Sequence, residues 1–476
     1  MLDGLEAVEL RLSEVLEDND TKRIDSEYFK KEYLSIFKKI STKQDFFKTF
    51  AEMDIRVDAS AFYPSLEPFY NQGDIPFLRV ADVNTQIDYE GCVKIPQAVL
   101  DDPSFNTLKV IKKGDIVVTK GGSIARIGLI NQNTAVTRDL IFLNSSSLNS
   151  IDYKFLFLYL LTNISYNLLI RSSSMTAQPH LTIGLVKNLP IFNPNNSFKK
   201  KIVDIFDLSD KKLEDSKILY KEAEELLLEE LDLLNFKPSN ENISIKSFKD
   251  SFGNSGRLDS EYYQPKYDEI IEKIKSYKGG FEFLKTACIL KDTNYSPKDK
   301  EYYKYIELSN IGNNGNITDF IYELGQDLPS RARRKIKTND VIVSSIEGSI
   351  DKIALVAKEF DNALCSTGFY VLNSKKINSE TLLVLFKNRA FQQILKQNCS
   401  GTILTAINKD EFLNIIIPII EIPTQTKIEE KIKKSFELKE NSKQLLDLAK
   451  RAVELAIEKN EDEAMNFIEE ALNEYR

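Results

Sequence analysis

The chain is written twice. RIDSEYFKKEY from Arg23 returns as RLDSEYYQPKY from Arg257, a displacement of 234 residues in a chain of 476. PFLRVADVN from Pro76 is echoed by KYIELSNIG from Lys304, and GDIVVTKGGSIARIGLI from Gly114 by NDVIVSSIEGSIDKIALV from Asn339. Each half closes with a Pro-terminated apolar run and a long charged segment. Such a duplication calls for two similar globular units plus connectors, each unit long enough to bury its own core. The halves are similar and unequal, so they have two similar and unequal things to hold.

Between about 45 and 195 the pattern is short strands split by turn residues: FLRVADV, LKVIKKGDIVV, ARIGLI and DLIFLN. The second half repeats it with YYKYIELSNI, DVIVSSI, KIALVA and GFYVLN. An amphipathic helix follows each strand set, Tyr153 to Arg171 and Ser379 to Gln397, and then a Ser/Thr-rich loop: SSSMTAQPH from Ser172, CSGTILTAINKD from Cys399. The expected class is α+β, a curved sheet with helices in each unit. The most lipophilic stretch, Phe155 to Leu161, lies beside Thr162, Asn163, Ser165 and Asn167 and is too short to span a bilayer, so it reads as a buried helix.

The connectors are different material. Phe206, Leu213, Tyr220, Leu227 and Leu234 recur every seven positions, with Ile202, Ser209, Ser216 and Ala223 as the neighbouring row. That is a heptad seam whose small residues admit a close partner helix. Leu438, Leu445 and Ala452, with Asn441, Leu448 and Leu455, repeat the idea. The simplest arrangement pairs the two helices antiparallel, in a pseudo-twofold protein: a first unit over 1–196 with an acidic element at 1–20, a helix over 197–236, a second unit over 237–423, and a second helix over 424–476. A helix from Phe198 to Leu234 spans about 55 Å at the standard rise. One turn of B-DNA, about 34 to 36 Å, fits within that reach.

Net charge is −8, yet the acids gather in residues 1–20 and in the two helical connectors, which leaves the globular units mildly basic. The four cysteines are scattered without a CxxC pair, which suggests neither zinc nor disulfides, and a reducing cytoplasm is the simplest location. The acidic start lacks the features of a secretion signal. Neither a phosphate loop, an Asn-Pro-Pro-aromatic tetrapeptide nor an HExxH is present, and His180 has no second His or Cys nearby in sequence. The chain therefore reads as a recogniser without a catalytic centre or cofactor of its own.

In the RIDSEYF opening, the GDIVVTKGGSIARIG segment, the loop TAQPHLTIGLVKNLPIF and the tail AKRAVELAIEK, the chain resembles the specificity subunit of type I restriction-modification enzymes. The resemblance implies two target recognition domains, each reading half of a split DNA sequence, and helices that fix the unread gap. It implies double-stranded DNA, two methyltransferase subunits and restriction subunits as partners, with no membrane. S-adenosylmethionine, ATP and magnesium would belong to those partners. Two rival readings are a coiled-coil scaffold for proteins only and a nuclease or methyltransferase with an unrecognised centre.

The best-marked candidate contact is the strand end around Lys120, Gly121, Gly122, Ser123 and Arg126. Adjacent glycines let backbone approach phosphate, and the two cations can meet phosphate or guanine. The second copy keeps Gly348, Ser349 and a base, Lys352, with Ser345 opposite Lys120. The polar loops supply Ser174, Thr176, Gln178 and His180 in one half, and Thr402 and Lys409 in the other. Gln reads adenine through two hydrogen bonds, and Ser or Thr serves several base edges. Arg331, Arg333 and Arg334, and in the first half Arg79 and Arg138, are candidates for gripping phosphate.

Overall fold

A computed structural model describes residues 7–16, 19, 22–62, 64–173, 179–241, 243–401 and 405–474. The chain divides into two compact units, Met1–Asp210 with Ser442–Arg476, and Lys211–Asn441.

The strands of unit 1 are β1 Phe47–Lys48, β2 Arg56–Ala59, β3 Ile75–Leu78, β4 Lys94–Ile95, β5 Lys109–Ile111, β6 Ile116–Thr119, β7 Ile127–Leu129, β8 Thr134–Val136, β9 Leu140–Asn144 and β10 Ile191–Phe192. Those of unit 2 are β11 Phe281–Phe283, β12 Ile289–Leu290, β13 Tyr302–Ile306, β14 Ile321–Leu324, β15 Ala332–Lys335, β16 Val341–Ser344, β17 Ile353–Leu355, β18 Leu364–Ser366, β19 Phe369–Asn373, β20 Cys399–Ser400, β21 Ala406–Ile407 and β22 Ile416–Pro418. Each unit has two four-stranded sheets, together with the two-stranded pair β1-β10 in unit 1 and the pairs β11-β22 and β20-β21 in unit 2. Unit 1 has the orders β2-β9-β6-β7 and β4-β3-β8-β5, and unit 2 repeats them as β12-β19-β16-β17 and β14-β13-β18-β15. Even the single parallel pairing recurs, β3 with β8 and β13 with β18. The duplication is thus one of topology, matched strand for strand across the two four-stranded sheets.

The run IVV explains itself in this setting. In β6, Val117 faces the core shared with Leu78, Val136 and Phe142, while Ile116 and Val118 face the helix-covered core. In unit 2, Ile342 faces Ile306 and Cys365, while Val341 and Val343 face the helices. A sheet buried on both faces needs unbroken apolar strands rather than alternation.

The principal helices are α1 Lys31–Ser41, α2 Ser150–Leu160, α3 Asn163–Ser172, α4 Asn196–Glu230, α5 Pro265–Lys275, α6 Ser379–Lys387, α7 Arg389–Gln397, α8 Ile422–Glu458 and α9 Glu461–Glu474. Where the sequence reads as one helix after each strand set, the structure has two. The break falls at a capping side chain: the Thr162 hydroxyl accepts from Ser165 N, and the Asn388 amide oxygen accepts from Ala390 N. Phe155 to Leu160 are all buried, as the buried-helix reading expects. Among the described residues no helix is long and apolar enough to cross a membrane.

The long helices α4 and α8 hold 35 and 37 residues, and they pair antiparallel within each unit. In unit 1 the Ser209 hydroxyl donates to Ser442 O at 2.7 Å; in unit 2 the Ser435 hydroxyl donates to Ser216 O at 2.8 Å. This register sets Ile202 level with Ala449 and Ala223 level with Ile428, all buried. The deepest row of α8 is therefore Ile428, Ser435, Ser442, Ala449 and Ala456; of the expected rows Leu445, Leu448 and Ala452 are buried, whereas Leu438, Asn441 and Leu455 are only half-buried. The C-terminal stretch is not one helix. Lys43 donates to the carbonyls of Ala456 and Ile457 at the end of α8, and Asn460 caps α9 by accepting from Glu463 N.

Candidate nucleic-acid interface

Each unit builds the same strand-end tip. Gly114 and Asn339 both take positive φ, +95° and +68°, which turns the chain into β6 and β16. The buried carboxylates that follow fix the turn. Asp115 accepts from the backbone of Lys112 and Ser145, and Asp340 from the backbone of Lys337 and the side chains of Lys291 and Asn373.

At the far end of the strand the bonds match again. Thr119 N donates to Arg126 O and Ser344 N to Lys352 O, both at 3.0 Å, so Arg126 and Lys352 hold equivalent posts. Leu181 N donates to Lys120 O, and Ile407 N to Ser345 O, at 2.9 and 2.8 Å. These bonds bring the glycine tip and the polar loop together in both units. A hydroxyl at the strand end organises each tip: Thr119 Oγ1 accepts from Arg126 N, and Ser344 Oγ accepts from Ile346 N.

Within this frame the side chains differ. In unit 1, Gly122 and Ser123 are exposed, Arg126 is exposed, and Lys120 is half-buried. His180 lies over Gly121: a Cβ there would sit 3.1 Å from His180 Nδ1, close enough that the ring would have to shift by a few tenths of an ångström. Gly122 has φ +70°. Arg126 also lines a hollow of about 450 Å³ with Asn84, Thr85, Asn163 and Tyr166. In unit 2, Ser345 is buried and donates to Gly368 O at 2.9 Å. Gly348 is open to solvent, and Ser349 lies within hydrogen-bond reach of Ser344 Oγ at 3.3 Å. Lys352 Nζ donates to Ile311 O. Ser174, Thr176, Gln178 and Thr402 lie outside the described residues.

The remaining candidates are more dispersed. Arg79 forks onto Asp82 with Nε and Nη2 at 2.9 and 3.1 Å, which raises its pKa through that hydrogen bond. Arg138 is exposed beside the unit 1 tip, since its neighbour Asp139 accepts from Lys120 N. Arg331 and Arg333 are exposed at the start of β15, with Arg333 Nε donating to Ser330 O. Arg334 is half-buried, with Nη1 lacking a hydrogen-bond partner among the described residues. Lys409 opens a short helix and is ion-paired with Asp292.

Sequence reasoning passed over the residues that hold these tips in place. Arg23 forks onto Asp25 and donates through Nη1 to Arg171 O and Ser173 O, at 2.9 and 2.7 Å. Arg257 forks onto Asp259 and donates to Gln397 O and Cys399 O, at 3.4 and 3.0 Å. The Arg-x-Asp that opens each repeat thus ties the start of the unit to the last helical turn before its polar loop. The signal was in view: the same spacing occurs in both copies. His180 has no cluster around it, since among the described residues no group of His, Cys, Asp and Glu could hold a metal. All four cysteines are buried. Burial pushes the Cys92 thiol up to about 11 and the Cys288 thiol up to about 12, far from nucleophilic poise.

The chain is thus a duplicated α+β unit with matching strand-end tips and long paired helices. The family model for the type I restriction modification DNA specificity domain matches residues 53–224 and 273–451, once in each repeat, and the chain belongs to that family. Among solved structures, the S subunit of the type I restriction-modification system from M. genitalium is 15% identical, with 89% of this chain and 95% of that chain covered and a TM-score of 0.37. The HsdS subunit from Thermoanaerobacter tengcongensis is 13% identical, with 87% and 97% covered and a TM-score of 0.28.

Proposed function

We propose that this chain is the DNA sequence-recognition subunit of a cytoplasmic type I restriction-modification complex, reading an asymmetric two-part target with one half-site per unit. One observation carries the reading: a common backbone frame at the two strand ends bears different polar groups. Lys120, Ser123 and Arg126 stand on one, and Ser349 and Lys352 on the other. Identical frames with changed tips suit two readers of different base sequences, and a symmetric site would want identical tips. The exposed Arg126, Arg138, Arg331 and Arg333 supply phosphate contacts that set orientation.

The paired helices fix the distance between the half-sites. Duplicated surfaces on the two units each dock one methyltransferase subunit, and restriction subunits join through these. Chemistry and its cofactors, S-adenosylmethionine, ATP and magnesium, reside in those partners. The test is selection from a random duplex pool by the full chain with its methyltransferase subunits. The expected product is two dissimilar half-sites with a constant gap. Retention of no duplex above background would end the proposal.

A further inference from the structure

In unit 2 two ammonium groups converge on one turn, and a third lies close enough to repel both. Lys352 Nζ donates to Ile311 O at 3.3 Å and Lys439 Nζ to Asn316 Oδ1 at 2.7 Å, and the turn between these acceptors is closed by Gly312 N donating to Asn316 O. Lys387 Nζ donates to the carbonyl of Asp351, the residue before Lys352, at 3.0 Å. All three lysines are half-buried. Their acceptors are two carbonyls and an amide oxygen, all neutral.

Carboxylates near this cluster do little to balance it. Among the described residues neither Lys387 nor Lys439 has an ion-pair partner within 4.0 Å. Lys352 has only the half-exposed Asp351, 3.7 Å away. Glu224 interacts with Lys387, and burial raises its pKa. Burial lowers the pKa of Lys439, and the charges of Lys217 and Lys387 lower it further. Burial also lowers that of Lys387, with Lys352 adding repulsion and Asp351 and Glu224 opposing it. Lys387 sits in the last turn of α6, where the helix dipole favours a cation; Lys439, in the middle of α8, has no such help. Gathering desolvated like charges costs free energy that an anion would recover.

The corresponding place in unit 1 is built differently. Arg126 matches Lys352, but the residue before the capping Thr162 is Leu161, where unit 2 has Lys387 before the capping Asn388. The cluster is therefore a property of one unit and not of the common frame.

We propose that Lys352, Lys387 and Lys439 form a cradle for backbone phosphate of bound duplex DNA, gripping unit 2's side of the target without reading its sequence. This rests on the DNA-reading function above and adds Lys387 and Lys439 to it. Binding would be measured with the full chain on a duplex of fixed sequence across a salt series, comparing the wild type with K387Q/K439Q and K387R/K439R. Removing one lysine from phosphate should reduce the slope of log affinity against log salt by about 0.9. The Gln pair should bind more weakly at low salt with a slope shallower by about 0.9 to 1.8. Its half-site preference should be unchanged and its melting temperature equal or higher. The Arg pair should retain the wild-type slope.

An unchanged slope in a folded Gln pair overturns the cradle, and so does an altered half-site preference, which would make these lysines base readers. Should the Gln pair not fold, K439Q alone must lose about 0.9 from the slope, and an unchanged slope there is equally fatal. A wild-type chain that binds no duplex at any salt removes the underlying function instead, so the two failures are distinct.

Discussion

Replacing Arg257 tests whether the repeated Arg-x-Asp element holds the unit 2 loop. The guanidinium forks onto Asp259 at 2.8 and 2.7 Å, donates to Cys399 O and Gln397 O, and lies 4.3 Å from the centroid of the Tyr262 ring. Arg257 is 15% exposed and Asp259 is 47% exposed, so the ion pair itself is screened and contributes under about 1 kcal/mol. The ring contact contributes about 0.5–1 kcal/mol. Each carbonyl that loses its donor costs about 1 kcal/mol, at the low end because the site is partly open to water.

Arg257→Ala should therefore destabilise unit 2 by roughly 2–4 kcal/mol. Arg257→Lys should recover less than half of that, since one ammonium cannot span a carboxylate and two carbonyls. Urea unfolding gives the free energies. Hydrogen exchange at the Cys399 and Ser400 amides reports on the loop, and both amides should exchange faster. If Arg257→Lys matches the wild type in both measurements, the fork geometry is irrelevant and the clamp is refuted.

Three further outcomes follow from the same structure. Gly121→Ala should displace His180, whose Nδ1 stands 3.1 Å from the new Cβ, and alter base preference in one half-site only, read by sequence selection. Ser216→Leu, at a position 1% exposed and 3.1 Å from the Ser435 hydroxyl, should overpack the helix seam and cost about 1–3 kcal/mol by thermal unfolding. The hydrogen bonds of Arg23 and Arg257 hold Asp25 and Asp259 below the usual 3.8, so their stabilisation is complete above that value and is lost as pH falls through the folded-state pKa. Wild type should therefore lose more stability than Arg257→Ala between pH 5 and pH 3 in urea titrations.

Much of this fold was legible because repetition fixes correspondences that a single copy leaves open. GDIVV and NDVIV had to be the same strand, and β6 and β16 are. The Ser209 and Ser216 row also marked the helix seam directly, because only small side chains let two helices approach so closely. The partner row on α8 was harder to see: Ser435 and Ser442 are polar, and the leucines beside them carry a stronger apolar signal that serves the flanking cores. The helix breaks at Thr162 and Asn388 fall at short polar interruptions, Thr162-Asn163 and Lys387-Asn388-Arg389, where a cap differs from an ordinary polar residue only by its backbone angles. In the site, glycine spacing pointed to the tips. The buried state of Ser345 and the closeness of Lys352, Lys387 and Lys439 come from tertiary contacts that no local pattern encodes.

Two unequal tips in one chain should read two unequal pieces of DNA. Mapping the adenines modified when this chain is expressed with its methyltransferase subunits tests that most directly. A single motif made of two dissimilar half-sites with an invariant gap is expected, in which substitutions at Lys120 and Ser123 relax one half and those at Ser349 the other. A contiguous or palindromic motif, or relaxation of both halves by one set of substitutions, would contradict it.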